Sequence, residues 1–122
     1  MRIMNKRDLQ SYCLAKKGVE KSYPFDQTTA VYKVGNKMFV LSDDRGEPLS
    51  LNVKCDPLYA LELRSIYEAV EPGYHMSKKH WNTLGCEKDL DDKLIYEMVD
   101  ESYQLVFESL SKKLQKEILE DV

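Results

Sequence analysis

The segment from Pro72 to Thr83 combines side chains that suit contact with a negatively charged partner. It contains two imidazoles, two ammonium groups and two amphipathic aromatic rings, without any acidic residue. These side chains belong to His75, His80, Lys78, Lys79, Tyr74 and Trp81. Ammonium groups pair with phosphate oxygens, and aromatic rings stack on bases. The segment therefore predicts anion or nucleic-acid contact, or else an ordinary stretch with rings packed in the core and lysines in water.

Charge elsewhere in the chain is unevenly distributed. The net charge is −3, yet residues 1–40 carry eight Lys or Arg against three acids, and residues 85–122 carry five against eleven. Lys54, on the polar side of a predicted strand, is expected to extend the basic segment. Lys33 and Lys37, which flank a predicted hairpin turn, either join it or keep a strand edge from pairing.

Catalytic and metal-binding patterns are missing from the sequence. The common hydrolase, zinc-protease and nucleotide-binding motifs do not occur, so we expect no enzyme activity and no cofactor. His75 and His80 are five residues apart and have no Cys or acid at ligand spacing, which argues against a metal site. Asp26 is predicted to cap a turn, with a role in a site as the alternative.

Hydrophobic spacing and capping residues predict four helices and four strands. Asn5, Asp56 followed by Pro57, Asp91 or Asp92, and Ser111 are suited to start helices. Gly35 and Asn36 separate two β-rich stretches, as in a hairpin. The predicted helices cover about 6–17, 57–64, a long stretch from 91 or 92, and a short one after 111; the strands cover 28–34, 37–42, 49–54 and 81–85, with a short extended segment at 66–71.

This order, about α-β-β-β-α-β-α-α, predicts an α+β fold in which helices pack on one face of a small antiparallel sheet. The 122 residues suit a single domain over 1–122. No stretch reaches the roughly 20 apolar residues of a membrane span, and no signal peptide is evident. We expect a cytoplasmic, monomeric protein without membrane contact. The three cysteines are widely spaced, which predicts reduced, packed thiols.

The run Tyr-His-Met-Ser-Lys-Lys-His-Trp-Asn-Thr at 74–83 resembles the pattern Y-H-[ML]-N-K-x-H-W-[NS]-T of the MmcQ/YjbR family of small bacterial proteins. Supporting similarities are residues 49–54 with Pro57, residues 37–39, and Ser102 with Tyr103. The resemblance implies a CyaY-like fold, described as a double-wing DNA-binding motif. Ser77 departs from the family's usual Asn, which removes an amide able to make paired hydrogen bonds.

Together these observations predict a DNA-binding module, with a regulatory role possible, in which Lys54, Lys78 and Lys79 contact phosphates. His75, His80 and Trp81 would shape or extend the surface, and Asn82 completes the candidate site. The alternative is a protein-interaction or small-anion-binding domain, indicated by the acidic net charge and by the lack of Arg in the segment. An enzyme with His75 or His80 as a base would need an acid partner and a pocket.

Overall fold

A computed structural model describes residues 5–45, 49–73, 76–86 and 90–120. The described residues form four helices and six strands. The helices are α1 (Lys6–Leu14), α2 (Pro57–Ile66), α3 (Asp92–Ser109) and α4 (Lys112–Glu120). The strands are β1 (Val19–Ser22), β2 (Thr29–Val34), β3 (Lys37–Asp43), β4 (Ser50–Lys54), β5 (Val70–Pro72) and β6 (Trp81–Gly85).

The strands form one antiparallel sheet in the order β1-β2-β3-β4-β6-β5. The predicted hairpin joins β2 to β3, where Gly35 and Asn36 have φ of 56° and 66°. A two-residue type I′ turn requires positive φ at both central positions, and Gly and Asn tolerate that conformation best. A register shift after Tyr32 makes a bulge in this pair of strands.

The helix starts predicted from capping residues are confirmed. The Oδ1 of Asn5 accepts the Asp8 N–H at 2.9 Å, and Asp56 accepts two N–H groups of α2 at 3.1 and 3.2 Å, with Pro57 at the first helical position. Asp91 caps α3 at 2.8 Å, and Ser111 caps α4 at 3.1 Å. These bonds pair N–H groups that a helix start otherwise leaves unpaired.

Buried side chains from all four helices share one core with one face of the sheet. The long helix α3 lies across β2, β3 and β4, α1 contacts β1, and α2 contacts β5. The opposite face of the sheet has a separate, smaller cluster made of Val31, Leu41 and Trp81, with Met38 and Met76 packed against it. The helices therefore leave this second face, called here the open face, largely to loops and solvent.

The predicted α+β class, with an antiparallel sheet and helices on one face, is confirmed. The structure adds β1, which the sequence analysis placed in a turn-rich region. The extended segment predicted at 66–71 is only partly correct: Ile66 ends α2, and the strand β5 covers Val70–Pro72. Helix α1 ends at Leu14, three residues before the predicted end, and the chain then reaches β1 through Gly18 at φ 75°. No helix in the described ranges is both long and apolar enough to cross a membrane.

Candidate functional site

The most basic part of the candidate site is a tight turn at residues 77–80, called here the basic turn. The Ser77 carbonyl accepts the N–H groups of His80 at 3.2 Å and Trp81 at 2.9 Å, which closes the turn directly before β6. Lys78, Lys79 and His80 are exposed. The Nζ of Lys78 donates to the Gly73 carbonyl at 3.2 Å, so this ammonium group stays near the base of the turn.

Lys54 lies beside the basic turn, at the adjoining end of the neighbouring strand. It pairs with Trp81 in the register of β4 and β6, and the next N–H along the chain, of Cys55, donates to the His80 carbonyl at 2.7 Å. None of the ion pairs found within the described residues involves Lys54, Lys78 or Lys79. The structure thus brings these three predicted lysines to one corner of the sheet.

Arg64 holds the basic turn from the helix side, and the sequence analysis did not identify it. Its Nε donates to the Asn82 Oδ1 at 2.8 Å, and its Nη2 donates to the carbonyls of Trp81 at 3.2 Å and of Lys78. Arg64 is in the last turn of α2, where a basic residue ordinarily complements the helix dipole. Its position in the sequence therefore gives no sign of its hydrogen bond to Lys78, 14 residues further along the chain.

Trp81 and Asn82 are buried, at 8% and 0% exposure. The Trp81 ring belongs to the cluster on the open face, whereas the Asn82 amide lies in the interior with Arg64. The Nδ2 of Asn82 has no hydrogen-bond partner in the described part of the chain. Both residues are therefore too buried to contact a partner directly and instead pack beneath the exposed residues of the candidate site. His75, another predicted site residue, lies outside the described residues.

The remaining predicted candidates, Lys33, Lys37 and Asp26, lie outside the basic turn. Lys33 is two strands from β4, and Lys37 is directed to the end of α3, where its Nζ donates to the Ser109 hydroxyl at 3.4 Å. Asp26 makes the predicted turn: its Oδ1 accepts the N–H groups of Thr28 at 2.9 Å and Thr29 at 2.6 Å. These hydrogen bonds lower the pKa of the Asp26 carboxyl.

Two carboxylates, of Asp56 and Glu101, lie on the helix side of the corner that Lys54, Lys78 and Lys79 share. Burial, with a smaller contribution from the charge of Asp56, raises the pKa of Glu101. Burial first, and then these two acids, also raise the pKa of the Cys55 thiol, to about 12. The Cys55 N–H donates to the His80 carbonyl, so the two acids that act on the Cys55 thiol lie close to the basic turn. An anionic partner is expected to approach from the turn and avoid the helices.

Within the described residues no cluster of three or more His, Cys, Asp or Glu side chains is arranged to hold a metal ion. The three cysteines are buried free thiols.

The architecture defines an α+β protein with a six-stranded antiparallel sheet and four helices on one side. A structure of the Deinococcus radiodurans protein DR2400, which contains a DUF419 domain, superposes with a TM-score of 0.90. It is 34% identical and covers 95% of this chain and 88% of its own. A Pseudomonas syringae structure has a TM-score of 0.72 at 24% identity, over 84% of this chain and 99% of its own, and shows the same fold.

Sequence comparison gives the family. The YjbR family model matches residues 14–105, and the chain belongs to the YjbR family. It is 38% identical over 101 residues to the uncharacterised protein YbdF of Escherichia coli O157:H7, with 82% of each chain covered. It is 32% identical over 109 residues to YjbR of Escherichia coli K12, covering 89% of this chain and 92% of the relative. The resemblance stated from residues 74–83 is thereby confirmed.

Proposed function

We propose that this protein binds DNA through the phosphate backbone, using Lys54, Lys78 and Lys79. One observation supports the proposal: the three lysines lie at one corner of the sheet and have no carboxylate partner among the described residues. Such a surface favours a polyanion, because ammonium groups that contact phosphates replace the counterions condensed on it, and the release of these counterions favours binding. The exposed His80 imidazole lies directly after the two lysines of the basic turn.

Backbone contact fits this corner better than reading of base edges does. Arg is the side chain that most often reads bases, but the Arg64 guanidinium already donates to Asn82, Trp81 and Lys78. Trp81 is too deeply buried to stack on a base without rearrangement. The proposed binding is therefore weakly sequence-specific and strongly dependent on salt.

The test is a titration of a fluorescent DNA duplex at several salt concentrations. The double variant K78E/K79E is expected to lower the affinity by roughly tenfold or more at low salt. It is also expected to make the slope of log affinity against log salt shallower by about 2, since each phosphate contact contributes about 0.9. The matched control is K112E/K113E, which makes the same charge change at two exposed lysines in the first turn of α4.

Equal effects of the two double variants would show that only net charge matters, and would contradict a site at the basic turn. A wild-type protein that does not bind DNA at low salt would favour a protein-interaction domain instead.

One observation points to that second function: Leu58, Leu61 and Ile66, all on α2, each expose more than half of their surface. Large exposed apolar surface is a feature of protein contact sites.

A further inference from the structure

The open face of the sheet has a groove of about 1050 Å³, called here the sheet groove. The groove lies over β3, β4 and β6, on the side that the four helices do not cover. This volume is slightly above the range of about 300–1,000 Å³ that is usual for small-molecule sites. None of Lys54, Lys78 and Lys79 lines the sheet groove, although the neighbouring Met76 and Ser77 do. The sheet groove therefore adjoins the basic turn at Ser77 but does not include the three lysines of the proposed DNA site.

One side of the sheet groove is apolar. Met38 and Met76 line it above the buried Leu41 and Trp81, and Phe25 stands at the rim with 66% of its surface exposed. Methionine side chains adapt to ligands of different shape, because they are unbranched and polarisable. Covering the exposed phenyl ring with a second apolar group is favourable, because it removes apolar surface from water.

The other side of the sheet groove is polar, and the sheet register fixes its order. Leu41, Asn52, Thr83 and Glu71 lie opposite one another in a row across β3, β4, β6 and β5. The Thr83 hydroxyl donates to the Asn52 Oδ1. The row therefore passes from an apolar side chain through an amide and a hydroxyl to a carboxylate.

Charge decides which ligands the sheet groove favours. The described lining residues include three carboxylates, of Asp26, Asp43 and Glu71, and one guanidinium, of Arg45, which leaves a net charge of −2. Arg45 binds Asp43 at 2.7 to 3.2 Å, and Asp26 is occupied by its turn. Glu71 is exposed and makes no hydrogen bond or ion pair with another described residue. An anion is disfavoured here, and one carboxylate is available for a cation.

We propose that the sheet groove binds a small organic cation with an apolar or aromatic body. The ammonium group lies at Glu71 with the Asn52 and Thr83 pair nearby, and the body covers Met38, Met76 and Phe25. This proposal does not rest on DNA binding, because Lys54, Lys78 and Lys79 do not line the sheet groove.

The experiment compares three probes of similar size: 2-phenylethylammonium, 2-phenylethanol and 3-phenylpropionate. Binding is followed by backbone amide chemical shifts and by the fluorescence of Trp81, the only tryptophan in the sequence. The ammonium probe is expected to shift the amides of β3, β4 and β6 and to bind roughly tenfold more tightly than the carboxylate. Glu71→Gln is expected to weaken the ammonium probe roughly fivefold and leave the alcohol unchanged, as for one partly exposed ion pair.

Phe25→Ala is expected to weaken the ammonium and alcohol probes alike, since it removes apolar contact and no charge. The matched controls are Glu117→Gln and Leu119→Ala, exposed on α4 across the sheet, and neither is expected to change any probe. Equal affinity for the ammonium and carboxylate probes would overturn the proposal. So would shifts outside the open face, or the absence of shifts at the solubility limit of the probes.

Discussion

Ser102 illustrates how much a single hydroxyl contributes to this sheet. It is fully buried in α3, its Oγ donates to the Phe39 carbonyl at 2.5 Å, and it accepts the Lys54 N–H at 2.8 Å. Val40 of β3 pairs with Val53 of β4, so the next pair in that register would be Phe39 with Lys54. Phe39 is also the residue that the bulge between β2 and β3 leaves without a partner in β2. The hydroxyl of Ser102 takes the place of a hydrogen bond between the two strands.

Ser102→Ala is expected to lower the free energy of unfolding by about 1–3 kcal/mol, because a buried N–H and a buried carbonyl each lose their partner. Urea unfolding followed by circular dichroism measures this change. Ser65→Ala is the control, since the Ser65 hydroxyl is exposed and donates only to the Glu62 carbonyl of its own helix. Its effect is expected to stay within about 0.5 kcal/mol. A similar loss in both variants would show that Ser102 has no special role.

At the scale of elements, the basic turn depends on α2 for its position. Arg64 of that helix makes its hydrogen bonds to a turn, a strand and a buried amide at the same time. A second close contact comes from Gly73, where an added Cβ would lie 2.7 Å from the Cβ of Trp81 and 3.0 Å from its carbonyl oxygen. The turn is thus held from α2 and from the end of β5, and its lysines project from a defined backbone.

Arg64→Met is expected to lower the free energy of unfolding by about 1–3 kcal/mol, since three acceptors lose a charged donor. Hydrogen exchange at the His80 and Trp81 amides is expected to become faster, because the turn they close loses its support. The same substitution at exposed Arg7 on α1 is the control and is expected to change neither quantity. Unchanged exchange rates in Arg64→Met would mean that the backbone hydrogen bonds to the Ser77 carbonyl stabilise the turn without Arg64.

The sequence predicted best those elements whose signals are local. Helix starts follow from capping residues, and the β2–β3 hairpin follows from Gly35 and Asn36, because both depend on a few neighbouring residues. β1 was missed, since Val-Glu-Lys-Ser has only one β-branched residue and becomes a strand by pairing with β2.

The same distinction applies to the candidate site. Adjacent lysines are visible in the sequence, but the support from Arg64 and the burial of Asn82 depend on contacts 14 to 18 residues apart. The sheet groove needs a register across four strands, which no local pattern specifies.

At the scale of the whole molecule, three buried thiols link stability to pH. Cys13 is in α1, Cys55 precedes α2, and Cys86 follows β6; burial raises the pKa of each from about 9 to about 12. Between these values the unfolded chain loses protons that the native chain keeps. The thiols therefore contribute stability that is present below pH 9 and is lost as the pH rises toward 12.

The free energy of unfolding is expected to fall above pH 9 by about 1.4 kcal/mol per thiol for each pH unit. Urea unfolding at intervals from pH 8 to 10 measures this slope. Cys86→Ala is expected to reduce the slope by about a third, whatever its effect on stability at pH 8. A slope that is flat above pH 9, or one that the variant leaves unchanged, would contradict this account.

The two outer strands bear on how a partner can attach. β1 has four residues and alternates polar side chains outward, while β5 has only three and ends in Pro72, which has no N–H to donate. Edge strands that are short, charged or contain proline disfavour pairing with a strand from another chain. A peptide is thus expected not to add itself as a seventh strand, and recognition has to proceed through side chains on a corner or a face.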